Sequence, residues 1–412
     1  MRILALQSGT SADGIDVALV DVEHRADADA GVHLGLAPVR TRTVAWPDGL
    51  RDRVLDVVHG AALTGAEWCR LDTELGRAFA DAAASVAPAG EADLVVSHGQ
   101  TVHHWVDGGR AQGTLQLGSP AWIAERMDAP VVADLRTADI AAGGEGAPLM
   151  AVFDRAWLGA EARESGRPIA TANLGGIANV QVVHPDGEVE AFDTGPANGL
   201  LDAAVVRATD GASGYDRDGA LAAGGTVHDA LLSELLAHPY FAAPAPKTTG
   251  RETFTLDVVD AAARRAYAAD LPLADLLATL AELTARTVVA AVPDGTADLV
   301  LSGGGVHNAD LVRRIGAHAG ARGIRPASSA ERGVDPDAKE VLLFGLLGWM
   351  RCHGIAAELT RHGRGTPRVL GTLTAARGPG APPGRHRTDA PPHRLAALTV
   401  QPSPAPNMED QA

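Results

Sequence analysis

Three short segments carry the residue types that grip a phosphate chain. The first is Ser8-Gly9-Thr10-Ser11-Ala12-Asp13-Gly14, followed by Ile15 and Asp16. A phosphate chain needs several N–H donors converging on one concavity, and small residues that let the backbone approach. Gly9, Thr10, Ser11 and Gly14 meet both needs. Asp13 and Asp16 add carboxylates of the kind Mg²⁺ accepts, since that ion keeps several waters and takes one or two carboxylates. The segment is not a Walker P-loop, because the GKS/GKT lysine is missing, and an ordinary hairpin turn has a similar composition. The second segment, Asn173-Leu174-Gly175-Gly176, repeats the design. So does the third, Ser302-Gly303-Gly304-Gly305, which stands between a strand pattern and a helix pattern, where a helix start favours phosphate. Three such turns, each at the end of an apolar run, point to a nucleotide cleft between two similar lobes.

Other polar residues fall at the ends of apolar runs. Asp193, in Phe192-Asp193-Thr194-Gly195-Pro196-Ala197-Asn198, follows a strand and precedes a Gly-Pro turn. A carboxylate there suits a general base, and equally an Asx-turn or a helix cap. His98-Gly99-Gln100-Thr101 follows Asp93–Ser97, with His103 and His104 close by. Without paired carboxylates these histidines favour polar substrate contacts over a metal site. Arg136 is suited to a bidentate carboxylate contact or to a structural ion pair. Glu340 opens an apolar helix, where a carboxylate complements the helix dipole. Lys247-Thr248-Thr249-Gly250-Arg251-Glu252 is a polar loop with no evident purpose from its composition.

The elements that position these residues follow from periodicity. Arg2–Gln7 and Ile15–Val22 read as a β-hairpin around the first turn. Apolar spacings of three and four predict a helix over Thr64–Ala87, stopped by Pro88. Asp93–Ser97 and Pro130–Asp134 read as short buried strands. Pro168–Asn173, Ile177–Val183 and Glu188–Phe192 read as strands, so a strand–glycine turn–strand pattern occurs twice. Leu271–Val292 reads as a helix, Asp298–Leu301 as a strand, a helix starts near Ala309, and Asp337–Arg351 reads as another. These elements suggest lobes over residues 1–165 and 166–375. Residues 376–412 are rich in proline, glycine and charge and read as a disordered tail, with a short element still open at Arg394–Val400.

Size and composition set the frame. At 412 residues the chain exceeds one ordinary core, and two domains are expected. Hydrophobic residues make up 46% but aromatics only 4%, so helices should pack closely on alanine and glycine. A formal net charge of −16 argues against nucleic-acid binding. The two cysteines, Cys69 and Cys352, form no CxxC pair and read as buried or half-buried free thiols. The N-terminal MRILALQSG lacks a signal-peptide core, and no run reaches the ~18 apolar residues of a membrane span. A cytoplasmic protein without membrane partners is expected.

Taken in series, SGTSADGIDVALVD, SHGQTVHH, DLRTADIAAGGEGAPL, NLGGIANV, FDTGPANGLLDA, PYFAAPAPKTTGRE, LSGGGVHN and PDAKEVLLFGLL resemble the anhydro-N-acetylmuramic acid kinase family, from about Arg2 to Gly371. That family belongs to the sugar kinase/Hsp70/actin superfamily. The resemblance implies an α/β, two-lobed, actin-like ATPase fold with a duplicated ribonuclease H-like core and a central cleft. It implies ATP and Mg²⁺ as cofactors, a homodimer, and 1,6-anhydro-N-acetylmuramic acid as substrate. The sugar's anhydro ring is opened by water while O6 is phosphorylated, a step of cell-wall recycling. By the same resemblance Asp193 is the catalytic base and residues 9–16 cradle the ATP phosphates, with Asp13 reaching Mg²⁺ through them. Asn173, Gly175, Gly176, Gly303, Gly304 and Gly305 complete the nucleotide site, and Thr101, Arg136 and Glu340 hold the sugar. Gln7, Glu145 and Ala197 stand where the family commonly has methionine, glutamine and glycine; Glu145 brings an extra charge to the sugar loop. A nucleotide-driven switch and an ordinary hexose kinase are the competing expectations.

Overall fold

The computed structural model describes residues 1–9, 12–27, 31–250, 252–359, 366–376 and 395–402. They fall into two compact units. One comprises Met1–Trp157 and the chain from Gly333 onward; the other is Leu158–Arg332. The strands among the described residues are β1 (Arg2–Ser8), β2 (Ile15–Asp27), β3 (Gly31–Val44), β4 (Leu94–Asp107), β5 (Arg110–Leu117), β6 (Val131–Ala133), β7 (Ile169–Leu174), β8 (Ile177–Val183), β9 (Val189–Pro196), β10 (Asp298–Ser302), β11 (Arg325–Ser328), β12 (Thr372–Thr374) and β13 (Leu395–Val400).

In the first unit the sheet runs β12-β6-β4-β1-β2-β3-β13, with β5 paired to β4. β1, β2 and β3 are antiparallel neighbours, and β4 and β6 continue from β1 in parallel. In the second unit the sheet runs β11-β10-β7-β8-β9. Again three antiparallel strands, β7, β8 and β9, are followed by two parallel ones, β10 and β11. The order β3-β2-β1-β4-β6 is thus repeated as β9-β8-β7-β10-β11. This is the duplicated ribonuclease H-like core expected of an actin-like α/β fold.

The central strand of the first unit explains its apolar run. Successive residues of β1 face opposite sides of the sheet. Ile3 and Ala5 pack with Val20, Leu94 and Val96 beneath Leu342, Leu346 and Trp349 of the helix Lys339–His353. Leu4 and Leu6 join Leu19 and Val95 beneath Leu71, Leu75 and Phe79 of the helix Gly65–Val86. A capping box between Thr64 and Glu67 starts that second helix, where the sequence places its start. At Gly348 an added Cβ would lie 2.2 Å from Val96 Cγ2, so the small residue sets how closely helix and sheet approach.

Three expectations are corrected. The second lobe does not extend to residue 375, because the helix Lys339–His353 buries its apolar face on β1, β2 and β4 and so belongs to the first unit. Part of the expected tail is ordered: β13 pairs in parallel with β3, and Leu398 and Val400 are buried. Residues 377–394 and 403–412 lie outside the described residues. Cys69 is exposed on its helix rather than buried, and Cys352 is half-buried. No helix among the described residues is long and apolar enough to cross a membrane.

Candidate functional site

The first turn joins β1 to β2. Thr10 and Ser11 lie outside the described residues. Gly9 and Ala12 close the turn through a 3.0 Å hydrogen bond from Ala12 N to Gly9 O, and Ala12 takes a positive φ of 50°. Arg51 Nε donates to Ala12 O at 3.0 Å, and its Nη2 lies 3.3 Å from Asp13 Oδ1. Gly14 is buried. A Cβ there would stand 2.7 Å from Thr43 Cγ2 and 3.2 Å from Val44 O, so the approach of β3 demands glycine. Ile15 is buried at the start of β2. Asp16 pairs across the sheet with Gln7 and Thr43. Gln7 Nε2 and Thr43 Oγ1 each donate to its carboxylate at 2.7 Å. Burial pushes the Asp16 carboxyl up, and those two hydrogen bonds oppose the rise.

The three residues expected to hold the sugar lie in one polar chain within this unit. Gln7 Nε2 also reaches Glu340 Oε2 at 3.4 Å, so one amide touches two carboxylates. Glu340 faces Arg136 electrostatically; burial lowers the guanidinium to about 10 and Glu340 opposes that fall. Arg136 Nη1 donates to Gly146 O at 2.8 Å, and Nη2 lies 3.2 Å from His98 Nε2. A guanidinium only donates, so His98 Nε2 accepts and the ring proton sits on Nδ1. Burial and Arg136 both push His98 well below its ordinary value, which keeps the ring neutral. The ring stacks on Phe344 at 4.7 Å. Thr101 Oγ1 lies 3.4 Å from His98 Nε2 and accepts from Gln116 Nε2 at 3.2 Å. The loop after Arg136 is fixed by Asp139, which accepts from Gly146 N at 2.8 Å, and by Glu145, which accepts from Ala111 N at 2.7 Å. Glu145 therefore ties the loop to β5 as an acceptor. The strand β4 does not end at Ser97; it runs through His98–Thr101, with a positive φ of 69° at Gly99 and a break in register nearby. The described residues contain no group of three or more side chains suited to a metal ion.

In the second unit the two glycine loops meet. Asn173 on β7 is the register partner of Ser302 on β10. Gly303 has φ +80°, and a Cβ there would lie 2.2 Å from Asn173 Oδ1. At Gly305 it would lie 2.5 Å from Leu174 Cβ. Gly304 is exposed. Beside it a cavity of about 420 Å³ is lined by Asn198, Tyr215, Arg217, His307 and Asn308. The carbonyls of Gly175 and Gly176 accept the N–H groups of Ala197, Asn198 and Gly199, which satisfies the first turn of the helix Asn198–Ala208.

Asp193 lies within β9, not after it. Its carboxylate accepts from Asn179 Nδ2, Thr248 Oγ1 and Thr249 N, each at 2.9 Å. Its backbone is held too: Asp193 N donates to Lys247 O at 2.9 Å, and Tyr240 Oη donates to Asp193 O at 2.7 Å. Burial, with Asp193 adding to it, raises the Tyr240 phenol. Sequence reasoning left Lys247-Thr248-Thr249 without a purpose and missed Asn179 and Tyr240. The proximity of that loop to Asp193 carries no local signal, because more than fifty residues separate them.

The profile of the anhydro-N-acetylmuramic acid kinase family matches residues 1–376. The chain belongs to this family. The anhydro-N-acetylmuramic acid kinase of Streptomyces coelicolor is 46% identical over 385 residues, 92% of this chain and 95% of that protein. The Rhodococcus erythropolis kinase of the same name is 45% identical, across 91% and 94% of the two chains. That of Gloeobacter violaceus is 41% identical, across 88% and 96%. The kinase family thus spans both units described above and stops short of β13.

Proposed function

We propose that the protein is an ATP-dependent kinase that opens 1,6-anhydro-N-acetylmuramic acid with water and phosphorylates O6, giving N-acetylmuramic acid 6-phosphate and ADP. The observation that carries this reading is the held carboxylate of Asp193 in a chain that belongs to this kinase family. Three donors fix its orientation, and a general base needs that fixed aim more than it needs strength. In the reaction Asp193 takes a proton from the water whose oxygen bonds to C1. The C1–O6 bond breaks with its electron pair on O6, and O6 attacks the γ-phosphorus as ADP leaves. Arg136 and Glu340 orient the sugar, with the guanidinium placed for its lactyl carboxylate, and Thr101 adds a hydroxyl contact.

Residues 9–16 hold the ATP phosphates. The cavity beside Gly304 suits the nucleoside, since that exposed glycine leaves bare backbone along it. The half-buried carboxylate of Asp16 and the exposed carboxylate of Asp13 fit a phosphate-bound Mg²⁺, which takes few protein ligands and would neutralise the transferring phosphoryl group. Dependence on ATP supports a cytoplasmic location, the family resemblance supports a homodimer, and the product fits cell-wall recycling.

The test follows the product formed in ¹⁸O-labelled water. ADP should appear only when the anhydro sugar is present, with label at C1 of the sugar phosphate. ADP release without sugar refutes the reading in favour of a nucleotide switch. Phosphorylation of a free hexose with no turnover of the anhydro sugar refutes it in favour of an ordinary hexose kinase.

A further inference from the structure

We propose that Lys247 is a positioning residue that pins a strap, Tyr240–Thr249, around Asp193 and so sets the aim of the catalytic carboxylate; this rests on the reading of Asp193 as the proton acceptor. The strap touches Asp193 at four points: Lys247 O on its N–H, Tyr240 Oη on its carbonyl, and Thr248 Oγ1 and Thr249 N on the carboxylate. It is a loop apart from the one-turn helix Pro239–Ala242, so its backbone has no ladder of its own to keep it in place. The Lys247 side chain supplies the missing constraint. Its Nζ donates to Tyr240 O at 2.9 Å and to Phe241 O at 3.3 Å, and it lies 4.5 Å from the centre of the Tyr240 ring. The two ends of the strap are thereby tied to each other. The far end is anchored in turn, because Phe241 packs onto Gly195, where a Cβ would meet Phe241 Cε1 at 2.7 Å. Phe241 also stacks on Phe254 at 5.5 Å.

The chemistry suits pinning. An ammonium carries three donors on a flexible stem, and two carbonyls with an aromatic face use them without a carboxylate. Burial lowers the Lys247 ammonium, a cost that its charge-assisted hydrogen bonds offset.

The experiment compares Lys247→Met and Lys247→Arg with the wild-type protein. Methionine keeps the unbranched apolar stem, one atom shorter, and removes every donor; arginine can still donate to both carbonyls. Lys247→Met should lower kcat on the order of 10- to 100-fold, as expected for a lost charge-assisted contact, while KM for ATP and sugar stays within about twofold. Lys247→Arg should recover most of kcat. Tyr240→Phe removes a second contact of the same strap, so its loss should combine with that of Lys247→Met less than multiplicatively. Hydrogen exchange at the Asp193 and Thr249 amides should speed up on the order of tenfold in Lys247→Met and revert in Lys247→Arg, whether or not the anhydro sugar is the substrate. A raised KM with kcat kept would overturn the proposal by making Lys247 a substrate contact. So would an arginine variant as slow as the methionine one, or unchanged exchange at those amides. Failure of the wild-type protein to consume the anhydro sugar would instead count against the functional reading, with the exchange measurement still deciding the strap.

Discussion

Replacing Asp193 with asparagine separates chemistry from folding at this site. The carboxylate takes one hydrogen bond on Oδ1, from Asn179, and two on Oδ2, from Thr248 and Thr249. Asparagine offers one acceptor oxygen and one amide. With its oxygen turned to the two threonine donors, its amide meets Asn179 Nδ2, donor against donor. Asn179 relieves the clash by turning its own amide over, at the expense of a marginal 3.5 Å contact from Gln181 Nε2. The net cost to stability is therefore about 1 kcal/mol, the worth of one ordinary hydrogen bond. The cost to turnover is much larger. An amide cannot accept the proton, and loss of a general base lowers rates by roughly 10²- to 10⁴-fold, about 3–5 kcal/mol of barrier. Coupled-assay kcat, nucleotide affinity by calorimetry and a urea melt measure the three quantities on one preparation. Expected are a collapsed kcat, nucleotide affinity within about twofold of wild type, and a small shift in the melt. Turnover within about tenfold of wild type would refute the assignment of Asp193 as proton acceptor.

Gly303→Ala should both destabilise the second unit and weaken nucleotide binding, because φ is +80° and the new methyl would lie 2.2 Å from Asn173 Oδ1. A loss of about 2–4 kcal/mol in urea melts is expected from strain plus overpacking. Gly304→Ala is the control for stability, since its nearest neighbour would be Asn198 Nδ2 at 3.9 Å; equal losses of stability in the two variants would contradict the geometry. Arg136→Lys should raise KM for the sugar on the order of tenfold or more with a smaller effect on kcat. A single ammonium cannot replace a planar fork that holds Gly146 O and His98 together, and an unchanged KM would remove Arg136 from sugar binding.

Features written into backbone chemistry were legible in the sequence. The apolar run Arg2–Gln7 marks β1, and apolar spacings of three and four mark the helix that begins after Thr64. Features made by long-range return of the chain were not. Nothing near Leu342 or Trp349 says that their helix will cover β1, more than three hundred residues earlier. Gln7 reads as a minor departure from the family pattern until its amide is seen on Asp16 and on Glu340, 333 residues away. Glu145 reads as an unwanted charge until it is found accepting the Ala111 N–H. The strap over Asp193 belongs with these: its motif was visible and its target was not.

The duplicated sheets also explain why the strap exists where it does. In each unit the third antiparallel strand would end the sheet, and an open edge exposes unpaired N–H and C=O groups. In the first unit β3 is covered by β13, a parallel strand partner. In the second unit the corresponding strand is β9, and at Asp193 its N–H is taken by Lys247 O. A regular strand in that place would have satisfied the backbone and left the Asp193 side chain to find its own partners. A strap that supplies one backbone acceptor, two donors to the carboxylate and a phenol to the carbonyl covers the edge and aims the side chain together. The edge position is thus what makes Asp193 adjustable by residues fifty positions away, and loosening the strap should cost catalysis before it costs the fold.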